Sequence, residues 1–264
     1  MGCYDISSFA YRKIKQIMKI VGQRNSNGIY EIKKKDLTGN LVEFNFPSVT
    51  TILSILKDDE LEDLKNSMSD EQFQIISERG ANRGTIMHAF LENYAKAYKK
   101  FKDPEKSLLY SQQKTEKQFQ NNEFNTDDPE LYKKGMSLFY NMYYSDFIKE
   151  MSNPLLIEGL MVNFIDEYAG RTDIIYENRF KKIVVGDFKS SSKMLYANSN
   201  KVQKYFIQAS AYCVAFEQMY NKPVDEAVIW VSYPNGTQHF SLTKFMIPIY
   251  YNYFLKLIDE YKKA

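Results

Sequence analysis

The chain has 264 residues, 44% of them hydrophobic and 26% charged, with a formal net charge of +2; this is ordinary globular composition, with length for one large domain or two small ones. Its two cysteines, Cys3 and Cys213, form no CxxC pair, which excludes a zinc ribbon or a four-cysteine iron–sulfur cluster within one chain and gives no disulfide framework, as suits a reducing cytoplasm. No apolar run is long enough to span a membrane, no signal-peptide apolar segment opens the chain, and Ile6 breaks the myristoylation pattern after Met1-Gly2-Cys3.

In chain order, residues 7–21 read as a short basic helix. Residues 28–34 and 40–46 alternate on either side of Leu37-Thr38-Gly39-Asn40, the pattern of a hairpin. Ser48 is placed to cap a helix that starts at Val49. Residues 58–80 are acidic and read as a surface helix with loops, and residues 84–101 as a strong helix carrying Ile86, Ala89, Phe90 and Tyr94 at helical spacing. The polar stretch 102–130, with breakers at Asn121-Asn122 and Asp127-Asp128-Pro129, reads as a flexible insertion before a further helix over 130–150. Strands are then predicted over 155–165, 171–177 and 182–189, with turns at Tyr168-Ala169-Gly170 and Glu177-Asn178-Arg179. A helix over 203–220, strands over 225–233 and 237–243 about a Pro234-Asn235-Gly236 turn, and a helix over 246–263 complete the chain. This order implies an α/β core with a mixed central sheet flanked by helices. Residues 1–80 read as an accessory region and 81–264 as the core.

Charge is clustered although its sum is small. Residues 1–35 carry eight basic residues against Asp5 and Glu31, and residues 179–204 carry seven against Asp187. Residues 58–71 reverse the sign, with seven acidic residues against Lys65. Clustered basic charge is compatible with a nucleic-acid partner whatever the total. Aromatic residues make up 15% of the chain; most are expected in the core, and some as a stacking surface for unpaired bases.

The chemistry concentrates in Val184-Val185-Gly186-Asp187-Phe188-Lys189-Ser190-Ser191. An i, i+2 spacing on a strand points Asp187 and Lys189 to one face. If the strand carrying Gly170-Arg171-Thr172-Asp173 pairs with it, Asp173 and Asp187 lie side by side, a hard-oxygen site for Mg²⁺ or Mn²⁺. Taken alone, the triplet is weak evidence: roughly nine in ten such triplets are no more than a surface ion pair at a strand end. Other pieces accompany it. Arg83-Gly84-Thr85-Ile86-Met87-His88 offers an imidazole in the first turn of a helix, with Glu92 one turn on. Glu158 at the start of the first core strand supports or flanks the site, and Gln208 and Tyr212 share a helical face.

In this order (G-T-x-x-H, E, G-x-x-D, G-D-x-K-S-S, Q-x-x-x-Y) the motifs resemble the PD-(D/E)XK nuclease superfamily in its RecB-like branch, over roughly residues 47–263, and the ending around Gln208–Cys213 and Tyr250–Tyr261 is similar to mitochondrial genome maintenance exonucleases and phage exonucleases. The resemblance implies a restriction-endonuclease-like core with an N-terminal hairpin and a helical arch. It implies His88, Asp173 and Asp187 as metal ligands with the Phe188 carbonyl as a further one, Lys189 as the catalytic lysine, and Glu158, Ser190, Ser191, Gln208 and Tyr212 as residues supporting site and substrate. Some relatives carry an iron–sulfur cluster; this chain lacks the cysteines for one, and it has no helicase P-loop. The expected activity is Mg²⁺- or Mn²⁺-dependent phosphodiester hydrolysis as an exonuclease on single-stranded DNA, in the cytoplasm of a bacterium or phage-infected cell, with replication or recombination proteins as partners and no membrane. A structure-specific flap endonuclease and a non-catalytic DNA-binding module on a nuclease scaffold are the alternatives.

Overall fold

The computed structural model describes residues 20–36, 38–56 and 59–263. The basic helix expected over 7–21 lies outside the described residues but for its last two positions, and Val21 there opens a strand. Strand β1 (Val21–Arg24), β2 (Ile29–Lys35) and β3 (Leu41–Pro47) form a small antiparallel sheet. The β2–β3 turn is closed by Asp36, whose carboxylate accepts from the Thr38 and Asn40 amides, the local bond that makes Asp a turn residue. Tyr30, Ile32 and Phe46 bury the inner face of this sheet against Val162 and Ala169.

Ser48 caps α1 (Val49–Leu53) as expected, its hydroxyl accepting from the Thr51 amide at 3.0 Å. After α2 (Asp59–Asn66) comes α3 (Asp70–Phe101), a single helix of 32 residues opened by a Ser69/Gln72 capping box. The division expected near residue 80 therefore falls inside a continuous helix. Periodicity located only its second half, because the buried residues begin at Ile86 and the first turns lie in solvent with no apolar stripe.

The stretch read as a flexible insertion contains α4 (Pro104–Gln120), capped by Asp103 with Pro104 in the first turn. Its buried face is Ser107, Ser111 and Thr115 rather than apolar, and it docks on α3 through hydrogen bonds. Ser111 donates to the Phe90 carbonyl at 2.7 Å, and Asn93 donates to Thr115 at 2.9 Å and to Gln118 at 2.8 Å. A helix held by satisfied buried polar groups shows no hydrophobic period. Helices α5 (Pro129–Tyr143) and α6 (Asp146–Glu150) follow.

The central sheet runs β4 (Asn153–Asn163), β5 (Tyr168–Glu177), β6 (Ile183–Ser190), β7 (Glu226–Tyr233) and β8 (Gly236–Thr243) in spatial as in chain order. Every neighbouring pair is antiparallel except β6–β7, which is parallel and joined by the crossover helix α7 (Asn200–Tyr220). Helix α8 (Ile247–Tyr261) ends the chain. This is the mixed α/β architecture expected from the element order. Side chains alternate across it: Val185 and Ile175 pack under α7 and α8, while Val184, Phe188 and Ile174 pack under α3 and α5. The turn expected at Tyr168-Ala169-Gly170 is instead the start of β5. The reversal lies before it, where the Asn163 side chain accepts from the Ile165 and Asp166 amides. Among the described residues no helix is long and apolar enough to cross a membrane.

Candidate active site

The site lies where β5 and β6 part. Their ladder ends at Ile174 opposite Gly186, which leaves Asp173 alongside the advancing end of β6. There the Asp173 carboxylate takes the place of a strand partner and accepts from the Phe188 amide at 2.6 Å. Strand β6 continues beside β7 to Ser190, so Asp187 and Lys189 are held on a paired central strand.

Helix α3 delivers His88 midway along its length, not in a first turn. Gly84, one turn earlier, lets the helix come this close: a Cβ there would sit 2.9 Å from the Ser190 hydroxyl. His88 Nδ1 lies 3.4 Å from Asp173 Oδ1. On the other side, the flanking pairs Ile157–Ile174 and Gly159–Thr172 set Glu158 across from Asp173. Glu158 stands in the middle of β4 rather than at its start, with a left-handed φ of 49°. That conformation costs a residue with a Cβ about 1 kcal/mol or more and recurs at functional positions.

One imidazole nitrogen and one carboxylate oxygen each from His88, Glu158 and Asp173 lie within 4.8 Å of one another. An imidazole with two carboxylates is a donor set that suits a divalent metal. The charges fit as well. Burial lifts the Glu158 carboxyl to about 7, helped by Asp173 and Glu92. Burial would lower the His88 imidazole, but the facing Asp173 carboxylate raises it overall. For Asp173, burial acts upward and is outweighed by His88 and Lys189, so its carboxyl is lowered.

Asp187 was expected to complete the ligand set and does not join this group. Its carboxylate is buried, and burial lifts it to about 6 against the pull of the Lys189 ammonium, 2.6 Å away. The Lys189 ammonium also rests 5.1 Å from the centre of the Tyr205 ring. Glu158, read as a supporting residue, is instead brought to His88 and Asp173. Its signal in the sequence was weak: a lone Glu with no motif of its own. Phe188 lines the site and has its amide held by Asp173.

Gln208 donates to the Tyr212 hydroxyl at 3.2 Å within buried α7. Tyr212 packs against bare backbone at Gly170, where a Cβ would meet its ring at 2.6 Å. It supports the strand beneath Asp173 from the opposite layer. Ser190 faces the cavity, whereas Ser191 is buried and accepts from the Lys193 amide at 3.3 Å, closing the turn after β6.

His88, Glu158, Asp173, Phe188, Lys189 and Ser190 open into one cavity of about 620 Å³. Its far wall is α3 together with Gln118, Glu123 and Phe124 from the end of α4, residues that sequence reasoning did not select because they belong to the stretch read as an insertion.

A model of the PD-(D/E)XK nuclease superfamily matches residues 61–250, more than half of the chain. The chain belongs to that superfamily. No curated protein matches it. A solved structure, "Crystal structure of SSO0001", is similar at 15% identity over 55% of this chain and 69% of that one, with a TM-score of 0.30. As a PD-(D/E)XK chain it falls among nucleases that use divalent metals, and the cluster of His88, Glu158 and Asp173 offers a place for one.

Proposed function

We propose that the chain is a DNA exonuclease of the RecB-like branch that hydrolyses single-stranded DNA from a free end with Mg²⁺ or Mn²⁺. The observation that carries this reading is the convergence of His88, Glu158 and Asp173 within 4.8 Å on the cavity that Lys189 also lines. In it, His88, Glu158 and Asp173 would hold the ion, and the resemblance adds the Phe188 carbonyl as a further ligand. When bound, such an ion would supply Lewis-acid polarisation of the scissile phosphate.

The protein's own groups do the rest. Asp187, buried at 2% exposure, fixes the Lys189 ammonium at the cavity wall. Lys189 orients the attacking water and stabilises the charge that develops on the phosphate. Asp173 accepts the Phe188 amide and keeps the parted strand ends in register. Gln208 and Tyr212 brace β5 from behind. Helix α3 and the Gln118–Phe124 stretch flank the cavity on the side away from the sheet.

Incubating end-labelled linear and circular single-stranded DNA of one sequence with the protein in Mg²⁺ and in Mn²⁺ tests this reading. Linear DNA is expected to be degraded while circles survive. Cleaved circles would replace the exonuclease by an endonuclease.

A further inference from the structure

A second cavity, of about 460 Å³, adjoins the first and shares Gly80 and Ser190 with it. The two have opposite character. The first is edged by Glu92, Glu123, Glu158 and Asp173; the second by Arg79, Arg83, Lys134 and Lys201, with no aspartate or glutamate among its described lining residues. Arg79 is tied to Asp128 at 3.1 Å. Among the described residues no carboxylate pairs with Arg83, Lys134 or Lys201.

Arg83 is the informative member. Its Nε is buried and has no hydrogen-bond partner. A buried guanidinium nitrogen without a hydrogen-bond partner is costly on a half-buried side chain, and an anion bound in the cavity would offset part of that cost. Burial indeed pulls its guanidinium pKa down, with no acid opposing. The hydroxyl-bearing Ser190 and Ser192 edge the same cavity, on either side of the buried Ser191. A guanidinium fork, two ammonium groups and hydroxyls match phosphate oxygens. The same cavity is also lined by Leu64 and by Ile76, which precedes Arg79 and Arg83 on one face of α3; both are apolar yet 38% and 48% exposed. A lining that combines cations with exposed apolar side chains matches an unpaired strand, whose bases are free to leave water while its phosphates stay ionic.

We infer that the Arg83 cavity is a second phosphate subsite, which holds the backbone phosphate next to the one cleaved while Leu64 and Ile76 receive the adjoining unpaired base. This rests on the nuclease reading above and gives it a direction: the strand runs from the cluster of His88, Glu158 and Asp173 past Ser190 to Arg83.

Binding, rather than cleavage, tests it. In a Lys189→Ala background that keeps the DNA intact, the dissociation constant of a labelled single-stranded oligonucleotide is measured across a salt series, with and without Arg83→Met. We expect Arg83→Met to weaken binding about tenfold and to lower the slope of log affinity against log salt by roughly 0.7, the value of one single-strand phosphate contact. If Arg83→Met melts early, Lys134→Ala with Lys201→Ala on the same cavity must show the same loss. Oligonucleotides with a 5′-phosphate, a 3′-phosphate or hydroxyl ends separate the sources of the phosphate. A loss confined to one phosphorylated end identifies a terminal monoester, and an equal loss for all identifies an internal diester. Unchanged affinity and slope in both sets of variants would overturn the subsite, as would failure of the parent protein to bind DNA. An equal loss on a blunt duplex would remove the unpaired-strand assignment. A protein that cleaves DNA normally but binds it as well without Arg83 would leave the nuclease reading standing and end this one.

Discussion

Glu92, Glu158 and Asp173 bring three carboxyl groups around one cavity, and Glu158 is the one that yields, lifted from 4.5 to about 7 by burial and by its acidic neighbours. A carboxyl whose folded pKa lies above its unfolded value holds more protons in the folded state between the two. Stability without metal is therefore greatest below the unfolded pKa and falls as pH rises through the window from 4.5 to about 7. Glu158→Gln removes this penalty. Melted in EDTA, the variant is expected to be more stable than the parent at pH 8, by roughly 1–2 kcal/mol after allowance for solvent screening, and equal to it at pH 4. With Mn²⁺ added at pH 8, the parent gains stability and the variant gains much less. A variant that is less stable than the parent in EDTA at pH 8 would show that Glu158 is held by contacts rather than repelled. At this scale the motif residues were legible: His88, Asp173, Asp187 and Lys189 all reach one corner of the sheet. Which of them cluster was not, because it depends on where β5 and β6 part and on the left-handed backbone at Glu158, neither of which leaves a pattern in the sequence.

Glycines set how closely the elements approach. On α5, a Cβ at Gly135 would lie 2.6 Å from the Ile86 side chain and 3.0 Å from the Arg83 carbonyl of α3. At Gly80, on exposed early α3, a Cβ would meet nothing within 4 Å. Both are helical, and Gly→Ala in a helix gains about 1 kcal/mol from propensity alone. Gly80→Ala is therefore expected to raise stability by about 0.5–1 kcal/mol. Gly135→Ala is expected to lower it by about 1–2 kcal/mol, since overpacking against backbone outweighs the gain. Urea denaturation of the two variants decides this, and a stabilised Gly135→Ala would mean that α3 and α5 have room between them for the added methyl group. Elements were legible from the sequence where an apolar period marks them, as in β6, α7 and the second half of α3. They were missed where polar side chains do the docking, as in α4. The Tyr168–Gly170 reading failed for a related reason: Gly170 resembles a turn residue, but it is there to admit the Tyr212 ring.

Across the whole molecule, one sheet separates two layers with different duties. The α7–α8 layer supplies apolar support and the brace at Tyr212; the α3–α5 layer carries His88 and walls the cavity. Acidic and basic cavities then meet at Ser190, the end of the central strand. The small β1–β3 sheet closes one side through Phe46 and Ala169, so this part of the region read as accessory is packed on the core. The mixed-sheet architecture followed from the order of elements; the pairing of the two cavities did not, since their residues come from eight separate stretches of chain. Metal-dependent hydrolysis at the strand split is the activity on which the proposed function depends. The direct measurement is the initial rate of cleavage of end-labelled linear single-stranded DNA by the parent protein, Asp173→Asn and Lys189→Ala, each with Mn²⁺ and with EDTA. The parent is expected to cleave only with Mn²⁺, and both variants to fall by at least about a hundredfold with folding intact, the scale of losing one charge-stabilising group in a water-poor site. Cleavage by the parent in EDTA, or undiminished cleavage by either variant, would contradict it.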